Sequence, residues 1–114
     1  MGFRPITEGV LTADGSEQVL FSGTGPGRYS GYIDFSSMVG GDVTIIREYI
    51  LINGIYKVYH TESYTGMPTD LVLSISPKES ISGVQLTLQQ TAGILRDYAY
   101  QFIVEEIIGP QINI

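Results

Sequence analysis

Residues 43–64 read VTIIREYILINGIYKVYHTESY, two runs of β-branched and aromatic residues on either side of Asn53-Gly54. Asn-Gly readily takes the two left-handed backbone conformations of a type I′ turn. The stretch therefore predicts a hairpin joining Val43–Ile52 to Ile55–Tyr64. Val, Ile, Tyr and Thr suit a pleated, half-buried surface. In the first run both faces are apolar except at Arg47 and Glu48, the pattern of a central strand or of one carrying a bulge.

The rest of the chain extends this reading. Val84–Thr91 alternates cleanly, with Val84, Leu86 and Leu88 facing a core and Gln85, Thr87 and Gln89 facing water. Leu71, Leu73 and Ile75 share one face of Asp70–Ser76 in the same way. Turn chemistry recurs at 13–15, 23–27, 36–42, 65–70, 76–80 and 92–93, the spacing of an all-β sandwich or barrel. Asp14-Gly15-Ser16-Glu17 is read as a hairpin turn, since it lacks the alternating ligands of a calcium loop. Residues 94–108, ILRDYAYQFIVEEII, fit both periods: Leu95, Tyr98, Ala99, Phe102, Ile103 and Ile107 would line a helix, and Tyr98, Tyr100, Phe102 and Val104 a strand. The abundance of aromatic and β-branched residues favours the strand. The expected fold is a single antiparallel β-sandwich of about eight strands, jelly-roll-like, with its core over residues 6–107 and short terminal arms at 1–5 and 108–114.

Composition narrows the function. A chain of 114 residues is long enough for one core without covalent staples. It has no Cys, so thiolate chemistry and cysteine-ligated metals are excluded. The net charge of −6, with Arg4, Arg28, Arg47, Lys57, Lys78 and Arg96 scattered singly, speaks against nucleic acid. No apolar run reaches the ~20 residues of a membrane helix. MGFRPITEG has no signal-peptide core, so synthesis in the cytoplasm is expected.

The glycine cluster SGTGPGRYSGYIDF at 22–35 invites comparison with a phosphate loop. Such a loop needs GxxxxGK[ST] between a strand and a helix. Here no Lys follows the glycines, and RYSGYIDF continues as a strand. The glycines are read as a strand connection, and Pro26 offers no N–H to an anion. His60, the single histidine, stands beside Glu62 on one strand face, where a cross-strand partner role is expected rather than a metal site. Asp34, Asp42, Asp70 and Asp97 are the carboxylates to weigh for paired acid–base work. Asp42 and Asp70 fall at strand starts, where turn-forming Asp is ordinary. No catalytic residue, metal site, cofactor or small-molecule substrate is expected. Eight Tyr exceed what one small core needs. They either cover sheet faces within the molecule or supply contact area to a neighbour. Arg28, Tyr29, Tyr32, Tyr56, Tyr59 and Tyr64 are the candidate interface residues.

GRYSGYIDFSSMVGGDVTIIREYILING, at 27–54, together with VQLTLQQTAG, at 84–93, resembles the small jelly-roll-like β-sandwiches of viral and phage-like particles. The likeness runs over about residues 10–106 and is one of strand order and texture. It implies a non-enzymatic structural subunit of a virion, in capsid decoration or as a minor capsid protein. Its partners would be copies of itself and other particle proteins. The alternative is a carbohydrate-binding β-sandwich, with Tyr platforms beside Asp, Asn and Gln, although Trp, the strongest stacking residue, is absent.

Overall fold

The structure, a computed structural model, describes residues 3–106, and every regular element among them is a strand. The eight are β1 (Phe3–Thr12), β2 (Gln18–Thr24), β3 (Gly27–Asp34), β4 (Val43–Ile52), β5 (Ile55–Thr65), β6 (Val72–Ser80), β7 (Gly83–Ala92) and β8 (Asp97–Glu106). They form two four-stranded antiparallel sheets, β1-β8-β3-β6 and β2-β7-β4-β5. The first strand pairs with the last, the second with the seventh, the third with the sixth and the fourth with the fifth. A chain folded back on itself at one hairpin and then rolled into two layers gives this order, which is the jelly-roll arrangement.

The hairpin at the fold's turning point is Asn53-Gly54. Its φ angles of 51° and 79° are those of a type I′ turn, as the dipeptide predicts. β4 lies between β7 and β5, the central position expected of it, with its inner face buried and Val43, Ile45, Arg47, Tyr49 and Leu51 half-buried on the outer one. β8 takes residues 97–106 of the ambiguous stretch as strand, while 107–108 lie outside the described residues. β1 begins at Phe3, so residues 3–5 of the expected N-terminal arm belong to the ladder with β8. Residues 1–2 and the expected arm at 108–114 lie outside the described residues.

Two turns were misread: residues 76–80, expected to turn, continue β6 with Pro77 at the sheet edge, and the other error has a physical reason. Asp14–Glu17 does turn, with Asp14 Oδ1 accepting from the Ser16 N–H at 2.8 Å, but it carries the chain from one sheet to the other and is no hairpin. Local turn chemistry specifies a reversal, not which sheet receives the next strand. The same connection changes the outer face of β7. Glu17 reaches back over it and accepts from Thr87 Oγ1 at 2.6 Å and from the Tyr49 hydroxyl, with Arg47 Nη1 3.6 Å away. Thr87, expected to face water, is only 4% exposed.

Between the sheets lie Phe21, Tyr29, Ile33, Phe35, Ile46, Leu88, Tyr98 and Phe102. Phe21 stacks on Phe102 with ring centroids 4.8 Å apart. Gly31 lies under Phe102, and a Cβ there would collide with that ring and with the Gln101 carbonyl. The two ends of the sandwich differ. At one, Asp42 accepts from the Val39 N–H at 2.9 Å and from Arg96 Nε at 2.8 Å, and its own carbonyl accepts from the Gly66 N–H. Beside it, Gln90 accepts from the Arg96 N–H and the Tyr98 hydroxyl and donates to the Ile94 carbonyl. Three connections, β3–β4, β5–β6 and β7–β8, are thus latched together. The opposite end has the short turns at 25–26, 53–54 and 81–82, with Ile52, Ile55 and Ile81 54%, 56% and 86% exposed.

Candidate interaction surface

Edge strands decide what such a sandwich can offer a neighbour, because their outer N–H and C=O groups have no strand to pair with. The four edges are β1 and β6 in one sheet and β2 and β5 in the other. β1 contains Pro5 and β6 contains Pro77, a usual device for blunting an edge, while β2, with seven residues, is the shortest of the four. β5 has no Pro and is the longest of the four, its edge interrupted only by Lys57 and one bulge. It runs for 11 residues without Pro or Gly, and only Tyr56 and Tyr64 along it are even half-buried.

β5 carries one irregularity. Glu48 pairs with His60 and Tyr49 with Val58, so Tyr59 is an extra residue, a bulge. The bulge turns Tyr59 toward the space between the sheets, where its hydroxyl donates to Glu48 Oε1 at 3.1 Å. Burial, followed by the Glu48 charge and this hydrogen bond, pushes the Tyr59 phenol above its ordinary range. Past the bulge His60, Glu62 and Tyr64 follow on the same side. With Ile46, Glu48, Leu73, Ile75 and Lys78 they line a groove of about 420 Å³ between the diverging edges of β5 and β6. His60 Nε2 lies 3.5 Å from Glu62 Oε1 at the groove's rim, a neighbour on its own strand and on the inner face, where a cross-strand partner on the wet face was expected.

The six candidate residues do not form one site. Tyr56, Tyr59 and Tyr64 all lie on β5, with Tyr59 and Tyr64 in the groove. Tyr56 is on the other face, 3.2 Å from Ser22 Oγ. Tyr64 packs on Phe35 with centroids 4.9 Å apart, and burial raises its phenol pKa, with Glu62 and Glu48 adding to the effect. Arg28 and Tyr32 lie on the outer face of the other sheet. Arg28 Nη1 meets Glu105 Oε1 at 3.4 Å, and Tyr32 lines a groove of about 470 Å³ with Glu8, Val10, Asp34, Val72 and Gln101. Tyr29 is in the core, 4% exposed, with its hydroxyl donating to the carbonyls of Gly25 at 2.6 Å and Thr24 at 3.1 Å. Tyr29 therefore holds the glycine loop from within. Gly25 gives its N–H to the Ser82 carbonyl, so the loop's polar groups are committed to the protein itself.

The carboxylates are equally dispersed. Asp34 accepts from the Ser36 N–H, Asp97 from Thr12 Oγ1, and Asp42 from Arg96. Among the described residues no three His, Asp or Glu side chains converge as a metal site requires. Sequence reasoning passed over Glu48 and Lys78 in the groove and the isoleucine tips beside the short turns. Ile52 and Ile55 flank Asn53-Gly54, so a signal was present: large apolar residues at a two-residue turn project past the end of the core.

The fold and its edges place the protein in the class of eight-stranded jelly-roll sandwiches. No protein-family model matches the chain, and no curated protein does. Solved structures do. The chain superposes on the infectious bursal disease virus VP2 subviral particle with a TM-score of 0.51 and 16% identity, over 90% of this chain and 32% of that one. For the structure of the infectious bursal disease virus Gx strain the TM-score is 0.52 and the identity 14%, over 90% of this chain and 31% of that one. The chain spans about a third of the length of these viral chains, and at such identity the shared property is the fold.

Proposed function

We propose that this protein is a non-enzymatic structural subunit that works by assembling with copies of itself and with other proteins of a virus-like particle, as a decoration or minor capsid component. The observation that carries this reading is β5: an edge strand of 11 residues without Pro or Gly, exposed over most of its length and flanked by an exposed isoleucine tip. Such an edge pairs readily with another chain and is usually guarded in a lasting monomer. The solved counterparts, chains of a virus particle, support the reading through the fold they share with this chain. The dispersal of titratable groups agrees with a surface built for contact. Fractionation of the native source tests it: the chain should sediment with particles. Recovery only as a slow-sedimenting single chain would contradict it.

A second reading rests on Tyr32. This half-exposed ring has Glu8, Asp34 and Gln101 around it in an open groove, an arrangement in which a sugar ring stacks while its hydroxyls donate to carboxylates. A glycan array separates the two readings: binding abolished by Tyr32→Ala would favour this one, and silence at millimolar sugar would remove it.

A further inference from the structure

We infer that β5 pairs antiparallel with β5 of a second copy, in a register set by the Tyr59 bulge and by Lys57 meeting Glu62. This deepens the assembly reading above and rests on it. Two copies related by a two-fold axis normal to the sheet keep each face on its own side, so every residue must oppose one from the same face. The pairing of β5 with β4 shows which residues share a face. Ile55 and Lys57 oppose Ile52 and Ile50, while His60, Glu62 and Tyr64 oppose Glu48, Ile46 and Thr44. Thr44, Ile46 and Glu48 are buried between the sheets, so all five β5 residues belong to that inner face. Tyr56, Val58, Thr61 and Ser63 oppose Leu51, Tyr49, Arg47 and Ile45 on the outer face.

In a regular strand Lys57 and Glu62 would point to opposite faces, because the side-chain period is two. The extra residue at Tyr59 brings them to one face. Self-pairing can then oppose Lys57 to Glu62 of the partner subunit twice, once on each side of the axis. The same register opposes Ile55 to Tyr64, Tyr56 to Ser63 and Val58 to Thr61, with both members of every pair on one face. Sliding one strand by two residues sets Lys57 against His60 or Tyr64, so the ion pairs are lost, and at the axis it opposes Val58 to Tyr59 or His60 to Thr61, which lie on different faces. Opposite charges and aliphatic–aromatic pairs across strands each favour the register. Lys57 is exposed and the Glu62 side chain is 52% exposed, so both are available to a partner. The result is a continuous eight-stranded sheet across two subunits, with both β5 edges closed.

Charge exchange tests the register without threatening the core, since both residues are exposed. K57E and E62K should each weaken association by about tenfold at low salt, and K57E/E62K should restore it. The chain has no Cys, so K57C/E62C under mild oxidation should also give a covalent dimer on a non-reducing gel. Circular dichroism confirms that each variant is folded. Association that persists unchanged in all three charge variants, with no covalent dimer from the cysteine pair, would overturn the β5 interface while leaving the assembly reading standing. A wild-type chain that stays monomeric at every concentration would overturn both.

Discussion

Asp42 is 1% exposed and holds the latched end of the sandwich through Val39 and Arg96. The Val39 N–H, and after it Arg96, hold its carboxyl below the ordinary value of 3.8. Glu17 is likewise held below 4.5, first by Thr87 and Tyr49 and then by the Arg47 charge. A carboxylate with a depressed folded value stabilises the fold fully above its unfolded value and loses that contribution as pH falls through the folded one. Unfolding midpoints should therefore be level near neutrality and fall from about pH 4.5 downward. Asp42→Asn should lower the midpoint at pH 7 and flatten part of that acid limb, as urea melts at stepped pH would show. At the alkaline side the sign reverses. Tyr49, Tyr59, Tyr64 and Tyr98 all titrate above 10 in the fold, so their contribution is whole below pH 10 and lost as pH climbs beyond it. Absorbance at 295 nm should show delayed ionisation relative to denatured chain, with a smaller delayed fraction in Tyr59→Phe. Gly31→Ala should cost about 1–3 kcal/mol, read from the same urea melts, because the added methyl has no room beneath Phe102. Little of this was legible in sequence. Asp42 reads as a turn residue, and nothing local ties it to Arg96 far along the chain.

Elements were far more legible than their partners. The alternation in Val84–Thr91, the apolar run of Val43–Ile52 and the Asn53-Gly54 turn each encode local geometry, and each forms the predicted element, although Thr87 on the wet face is covered by Glu17. The strand at 97–106 followed from residue type where periodicity was silent. Sheet membership was not encoded locally: apart from the β4–β5 hairpin every connection crosses between layers, including the one expected to be a hairpin at Asp14–Glu17. The Tyr59 bulge was likewise hidden, since an extra residue shows only against its opposing strand. Gly54→Ala should destabilise by about 1 kcal/mol in thermal melts, because a side chain at φ 79° is strained. In dilute solution, hydrogen exchange should be slowest in the internal strands β7, β4, β8 and β3 and fastest along β5. Concentrating the sample should protect β5 selectively.

At the scale of the molecule, one end is locked by buried polar groups and one side is left open along β5. The six residues singled out beforehand separate accordingly: Tyr56, Tyr59 and Tyr64 mark the open edge, Arg28 and Tyr32 the far sheet, and Tyr29 the core. Sequence could name tyrosines in excess but could not sort them, because sorting requires the crossovers between sheets. The proposed role requires another chain to cover the open edge. Light scattering coupled to size exclusion across a wide concentration range tests it most directly. The mass should rise above the 12.5 kDa of one chain as concentration increases. A mass fixed at 12.5 kDa up to millimolar protein would contradict it.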